Sequence, residues 1–412
     1  MNPNAFDILK ERGFVAQVTD EPAIRTLLGS ERVTFYVGFD PTASSLHCGS
    51  LVPIMAMANL QRAGHRAVGL IGGGTAMVGD PSGKTEMRQM LSFETISANG
   101  DGILGQLGRY LDLGGEAGMA ANNAHWLLKL NYVEFLRDIG RYFRVNEMIR
   151  AEAYRARLER EEGLSFIEFN YQLLQGYDYL RLYETHGCRL QMGGDDQWSN
   201  ILAGTDLIRR KHGAQAFCIT FPLLTTARGE KMGKTAGGAV WLDAARTSPY
   251  DFYQYWINTD DRDVRRFLAL FTFLPMSEVE RLGSAEGAAL NASKEILAWE
   301  ATRLCHGEVA ANDARSASRA AFGGGGDVNA IPSTALAQGR LAQGVALVDL
   351  LVEVGLATSK GEGRRLIQQG GAYVNDAPVT DVQARLDAAS LKDGAILLRA
   401  GKKKVHRIVV AS

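Results

Sequence analysis

The chain has 412 residues, too many for one ordinary domain and enough for two or three. Lys and Arg number 45 against 46 Asp and Glu, so the chain is not basic as a whole and any nucleic-acid contact must come from local patches. Four scattered cysteines with no CxxC pair argue against a zinc knuckle and a disulfide framework, and no apolar run approaches the ~20 residues of a membrane span. The expectation is a soluble, cytoplasmic, multidomain protein with no membrane partner.

The first residues, MNPNAFDILKERGF, hold no apolar core of signal-peptide type. RVTFYVGF (32–39) and RAVGLIGG (66–73) read as strands flanking the helical stretch SLVPIMAMANLQRAG. CRLQMGG (188–194) and QAFCITFPLL (215–224) flank a second helical stretch, DDQWSNILAGTDLIRRKHG. Strand, helix, strand at this spacing predicts crossover units and a parallel sheet, with ligands beyond the carboxyl ends of the strands. Between the two units, 131–187 is helical, and its amphipathic part 132–160 suits either a solvated helix pair or a dimer face.

The polar clusters fall where the strands end. In YVGFDPTASSLHCGS (36–50), Gly38 permits close backbone approach and Asp40-Pro41-Thr42 shapes a turn. A helix then starts near Gly49 or Ser50, with Pro53 in its first turn. Its positive N-terminus is an anion site within reach of Thr42 and His47. An ordinary helix start with a surface histidine is the competing reading. GGGTAMVGDPSGKT (72–85) fails the P-loop pattern, because three residues rather than four separate Gly79 from Gly83-Lys84. It also fails the dinucleotide fingerprint, because Met77 stands where a glycine is required.

Tyr171, Gln175 and Asp178 share one ~60° sector of a helix, a stripe of phenol, amide and carboxylate. It suits either a polar network between helices or a pocket for a zwitterion. GEKMGKT (229–235) sets two lysines and a threonine among glycines, a composition suited to clamping a polyphosphate or to a solvated loop. Residues 248–321 read as helical, 322–340 as a glycine-rich linker, and 341–412 as a compact unit with ten Lys/Arg against seven Asp/Glu.

HCGS (47–50) and KMGKT (231–235) resemble the two signature motifs of class I aminoacyl-tRNA synthetases. YVGFDPTASSLH, GDPSGKT, NYQLLQGYDYLRLYETHGCRLQMGGDDQW and RGEKMGKT are similar to the bacterial tyrosyl-tRNA synthetase family, nearly from end to end. The resemblance implies a Rossmann-like α/β catalytic domain (1–247, helical insertion about 125–187), an α-helical domain (248–321) for the anticodon region, and a small α+β RNA-binding domain (341–412). It implies L-tyrosine, ATP and tRNA(Tyr) as substrates, Mg²⁺ carried with ATP, and a homodimer. Tyr36 and Asp178 would bracket the substrate hydroxyl. Asp80, Tyr171 and Gln175 would hold its ammonium, and Thr75, Asn123, Gln191 and Gln197 would complete the surroundings. Gly38, Asp40, Thr42, His47, Gly49, Ser50, Asp196 and Lys234 would face ATP, with Thr42, His47, Lys231, Lys234 and Thr235 acting on its phosphates. Arg364, Arg365, Lys402, Lys403 and Lys404 would contact RNA. Two residues depart from the class pattern: Ser50 replaces a second histidine, and Gly233 replaces a serine and should loosen its loop. The rivals are a tryptophan-specific relative and a non-catalytic RNA-binding protein on the same fold.

Overall fold

The structure, a computed structural model, describes residues 3–80, 91–159, 164–227, 229, 231–235, 238–321, 331–401 and 404–411; of residues 152, 153, 156, 157, 234 and 235 it describes the backbone alone. Five strands form the central sheet: β1 (Thr34–Phe39), β2 (Arg66–Ile71), β3 (Gly118–Asn122), β4 (Cys188–Gly194) and β5 (Phe217–Phe221). All neighbours are parallel, in the order β3-β2-β1-β4-β5. The runs are apolar at nearly every position rather than alternating, as covering both faces of a parallel sheet requires; all five residues of β5 are buried. The helix Leu51–Arg62, buried along most of its length, carries the chain from β1 to β2. The chain later returns to the other side of β1 as β4. That reversal of strand order opens a crevice at the carboxyl ends of β1 and β4.

The helices Tyr171–His186 and Trp198–His212 pack against each other beside β4. Tyr179 ties them to the sheet edge: its hydroxyl donates to the Phe217 carbonyl at 2.8 Å and accepts from the Phe217 amide at 3.2 Å. Strand β3, GMAAN, was not foreseen; Met119 is its one bulky apolar side chain.

Backbone contacts divide the chain into two compact units. The first holds Met1–Lys234, Ala239–Arg246 and Asp261–Ala285, and the second Thr235–Gly238, Thr247–Asp260 and Glu286–Ser412. The segment expected as one helical domain, 248–321, is therefore shared. Arg12 supplies a physical reason: its buried guanidinium donates to the carbonyls of Ala269 (2.8 Å), Thr272 (2.9 Å) and Leu274 (2.5 Å), binding the end of the helix Val264–Phe271 to the first unit.

In the second unit a five-stranded sheet packs over a core of Leu347, Leu350, Leu351, Ile367, Ile396, Leu398 and Ile408. The expected linker needs correction. Residues 322–330 lie outside the described residues, but Ser333–Ala337 is a strand parallel to Lys404–Ala411, and a short helix follows at Gln338–Ala342. It is an edge strand whose one fully buried side chain is Leu336, so its composition reads as loop. Nor is the C-terminal sheet isolated: Ile331 and Val405 pack with Tyr250, Ala317 and Ala321. Among the described residues no helix is long and apolar enough to cross a membrane.

Candidate active site

The crevice holds a cavity of about 220 Å³. β1 supplies Tyr36 and Gly38, with Asp40 just beyond; β4 supplies Gln191 and Gly193, with Asp196 and Gln197 following. The helix Tyr171–His186 contributes Tyr171, Gln175 and Asp178, so the predicted stripe faces the cavity. Thr75, Asp80 and Asn123 complete the wall after β2 and β3.

Asp178 is the most unusual group. It is 2% exposed, and burial pushes its carboxyl up to about 7 although two donors favour the charged form. Asn123 Nδ2 donates to it at 2.8 Å and Trp126 Nε1 at 2.7 Å. Tyr36 is equally buried; burial first, and then the nearby Asp178 carboxylate, pushes its phenol well up. Among the described residues its hydroxyl has no hydrogen-bond partner, and neither do the buried amide oxygens of Gln175 and Gln191. Buried polar atoms without partners in a cavity are groups shaped for a ligand.

A second network runs through Asp40. Its carboxylate accepts from Thr75 Oγ1 at 2.7 Å and from the Tyr171 hydroxyl at 2.9 Å, and Asn123 Nδ2 reaches Thr75 Oγ1 at 3.0 Å. Gly72 makes room for it, since a Cβ there would lie 1.9 Å from Asp40 Oδ1. The glycine-rich turn thus admits a carboxylate of the protein itself. Gln197 Nε2 donates to Asp80 at 2.7 Å, and burial followed by Asp80 pushes the Asp196 carboxyl up.

A family model for "tRNA synthetases class I (W and Y)" matches residues 29–323. The chain belongs to the class I tRNA synthetases of this group. A second family model, for the "Tyrosine--tRNA ligase SYY-like C-terminal domain", matches 327–408. The chain is 56% identical over 425 residues to the tyrosine–tRNA ligase of Desulfosudis oleivorans, covering 98% of each chain. It is 53% identical over 407 residues to that of Caldanaerobacter subterraneus, covering 99% of each. Among solved structures, a C-terminally truncated mitochondrial tyrosyl-tRNA synthetase of Coccidioides posadasii superposes with a TM-score of 0.67 at 33% identity, covering 76% of this chain and 91% of that one.

For a class I synthetase the two signature stretches come next. Ser50 lines the cavity, whereas Thr42, His47, Gly49 and Lys231 lie outside its wall. The turn Cys48–Ser50 precedes the helix Leu51–Arg62, and Ser50 makes no side-chain cap to that helix. His47 Nδ1 accepts from the Gly49 amide at 3.0 Å, which leaves the proton of a neutral imidazole on Nε2. Gly233, expected to loosen its loop, sits at φ +80°, and a Cβ there would lie 2.7 Å from the Gly49 amide nitrogen. The glycine is required by a left-handed backbone and a close approach. Lys231 is exposed, and the side chains of Lys234 and Thr235 lie outside the described residues, as do 81–85 of GDPSGKT. Arg364 and Arg365 are exposed on the helix Lys360–Gln368. Hydrogen bonds from Thr358, and more weakly Lys404 and Arg365, hold the Glu362 carboxyl below its ordinary range, so Lys404 belongs to the same surface. Lys402 and Lys403 lie outside the described residues. Sequence reasoning missed Trp126. Its signal is faint, one tryptophan in a four-residue helix after β3.

Proposed function

We infer that this chain joins L-tyrosine to tRNA(Tyr) in two steps. The tyrosine carboxylate attacks the α-phosphorus of ATP, the bond to the β-phosphate breaks, and pyrophosphate leaves. A ribose hydroxyl of the terminal adenosine then attacks the acyl carbon and AMP departs. The carboxylate is already ionised, so the first step needs no general base and rests on positioning and electrostatics.

The observation that carries the tyrosine reading is that Asp178 shares one buried cavity with the Tyr36 hydroxyl, which has no partner among the described residues. A phenol hydroxyl can donate to the first and accept from the second; indole has no oxygen to offer. A pocket built this way penalises phenylalanine by stranding its own groups, an effect for which tyrosine-specific synthetases are themselves the standard illustration, at roughly 10⁵. Asp80, Tyr171 and Gln175 would take the ammonium, with Thr75, Asn123, Gln191 and Gln197 around the substrate. Gly38, Asp40, Gly49, Ser50 and Asp196 would take the nucleoside and phosphates. Thr42, His47, Lys231, Lys234 and Thr235 would stabilise the departing pyrophosphate. Mg²⁺ would ride on the triphosphate oxygens; among the described residues no three His, Cys, Asp or Glu gather as a metal-binding group. Arg364, Arg365, Lys402, Lys403 and Lys404 would face tRNA phosphates. Exposed Val133 (71%), Val145 (62%) and Phe166 (68%) on the inserted helices support a second copy as partner. Four buried free cysteines support a cytoplasmic setting.

Exchange of labelled pyrophosphate into ATP, without tRNA, tests the assignment. Tyrosine should drive it. Exchange driven by tryptophan would support the indole-specific rival, and no exchange with any amino acid would support the non-catalytic one.

A further inference from the structure

The stretch Val240–Arg246 lies after the KMGKT loop and belongs to neither signature motif, yet its backbone touches both. The Leu242 amide donates to the Leu46 carbonyl at 2.9 Å, and the Cys48 amide to the Val240 carbonyl at 2.9 Å. The Val240 amide donates to the Gly233 carbonyl, also at 2.9 Å. Between the first two bonds, His47 and Trp241 stand opposite each other as an antiparallel bridge.

Their side chains meet as well. The His47 and Trp241 rings lie 6.3 Å apart at 68°, an edge-to-face arrangement within the aromatic range. The Arg246 guanidinium covers the indole at 3.4 Å from its centroid, and Arg246 Nη1 reaches Ser44 Oγ at 3.4 Å. A second anchor fixes the far end of the stretch: the Asp243 amide donates to Ser45 Oγ at 3.2 Å. His47 is therefore oriented by the Gly49 amide on Nδ1 and by an indole edge contact, and the indole is itself held under a cation.

We propose that Trp241 and Arg246 are positioning residues for His47, an Arg–Trp–His stack that fixes where its Nε2–H points. Neither residue lines the tyrosine cavity. Their effect should fall on the phosphate side of the reaction and leave tyrosine recognition alone. The inference rests on the two-step reading above.

A double-mutant cycle in pyrophosphate exchange separates positioning from general structural support. Trp241→Ala should lower the activation rate about ten- to hundredfold, the cost of slight misplacement of a reacting group. Its KM for tyrosine should stay within about twofold of wild type. In a His47→Ala background the same change should cost less than about threefold, because nothing remains to be positioned. Trp241→Phe should recover most of the rate, and Arg246→Ala, an exposed change that leaves the core intact, should show a smaller loss with the same dependence on His47. A loss of equal size in both backgrounds overturns the proposal, as does a parallel rise in the tyrosine KM. One readout does not need activity: the His47 ring resonances, assigned by their absence in His47→Ala, should shift in Trp241→Ala through loss of the indole ring current. Unshifted resonances would refute the contact. Wild-type protein without tyrosine-driven exchange would sink the functional reading, and the resonance measurement would still decide the stack.

Discussion

Replacing Trp126 by Phe removes one N–H and keeps an aromatic ring, smaller than the indole, against the surrounding core. The lost bond is the 2.7 Å donation to Asp178 Oδ1. A hydrogen bond to a charged acceptor contributes about 1.5–3 kcal/mol, which at about 1.36 kcal/mol per pKa unit corresponds to about one to two units. The sign follows from the chemistry. The donor favours the carboxylate, so its loss must push Asp178 further up from its value of about 7. If the ionised form accepts the substrate hydroxyl, wild type at pH 7.5 is about three-quarters competent, and the variant about 3–25% competent. Tyrosine-dependent kcat/KM should therefore fall about three- to 25-fold at pH 7.5 and recover toward pH 9.5. The assay is pyrophosphate exchange at subsaturating tyrosine from pH 6 to 9.5 for both proteins. A midpoint that stays in place, or moves to lower pH, would refute the reasoning.

Four further outcomes can be checked. Tyr36→Phe deletes a buried hydroxyl that has no partner among the described residues, so Tm should hold or rise by the equivalent of about 1 kcal/mol while the tyrosine KM rises at least about tenfold; a large drop in Tm would contradict this. Lys234→Ala should depress the activation rate about 10²–10³-fold with tyrosine KM little changed, as measured by rapid-quench adenylate formation; equal losses in both would deny the clamp role. Gly233→Ala places a methyl 2.7 Å from the Gly49 amide nitrogen at φ +80°, and should slow activation without altering tyrosine affinity by equilibrium dialysis. Truncation after Phe322 removes Ile331 and Val405 from Tyr250, Ala317 and Ala321 but touches no residue of the cavity. Adenylate formation should survive and tRNA charging should be lost; collapse of both would show that the first unit depends on the C-terminal sheet.

Local periodicity carries information only about neighbours along the chain. That is why β1, β2, β4 and β5 were legible as continuous apolar runs ending in glycine or polar turns, and why Tyr171, Gln175 and Asp178 were legible as one helical stripe. The two signature stretches were legible for the same reason, each being short and contiguous. Tertiary structure decided the rest. Strand β3 exists because β2 offers it an edge, not because GMAAN favours extension. Asp40 looks like a turn residue in sequence, yet folding brings it Thr75 and, 131 positions later in the chain, Tyr171. Ser333–Ala337 looks like linker until the Lys404–Ala411 strand pairs with it. The raised carboxyl of Asp178 belongs to neither class of signal. A sequence names the aspartate, but the loss of water around it and the two donors that partly compensate come from segments about 50 residues away, and only packing puts them there.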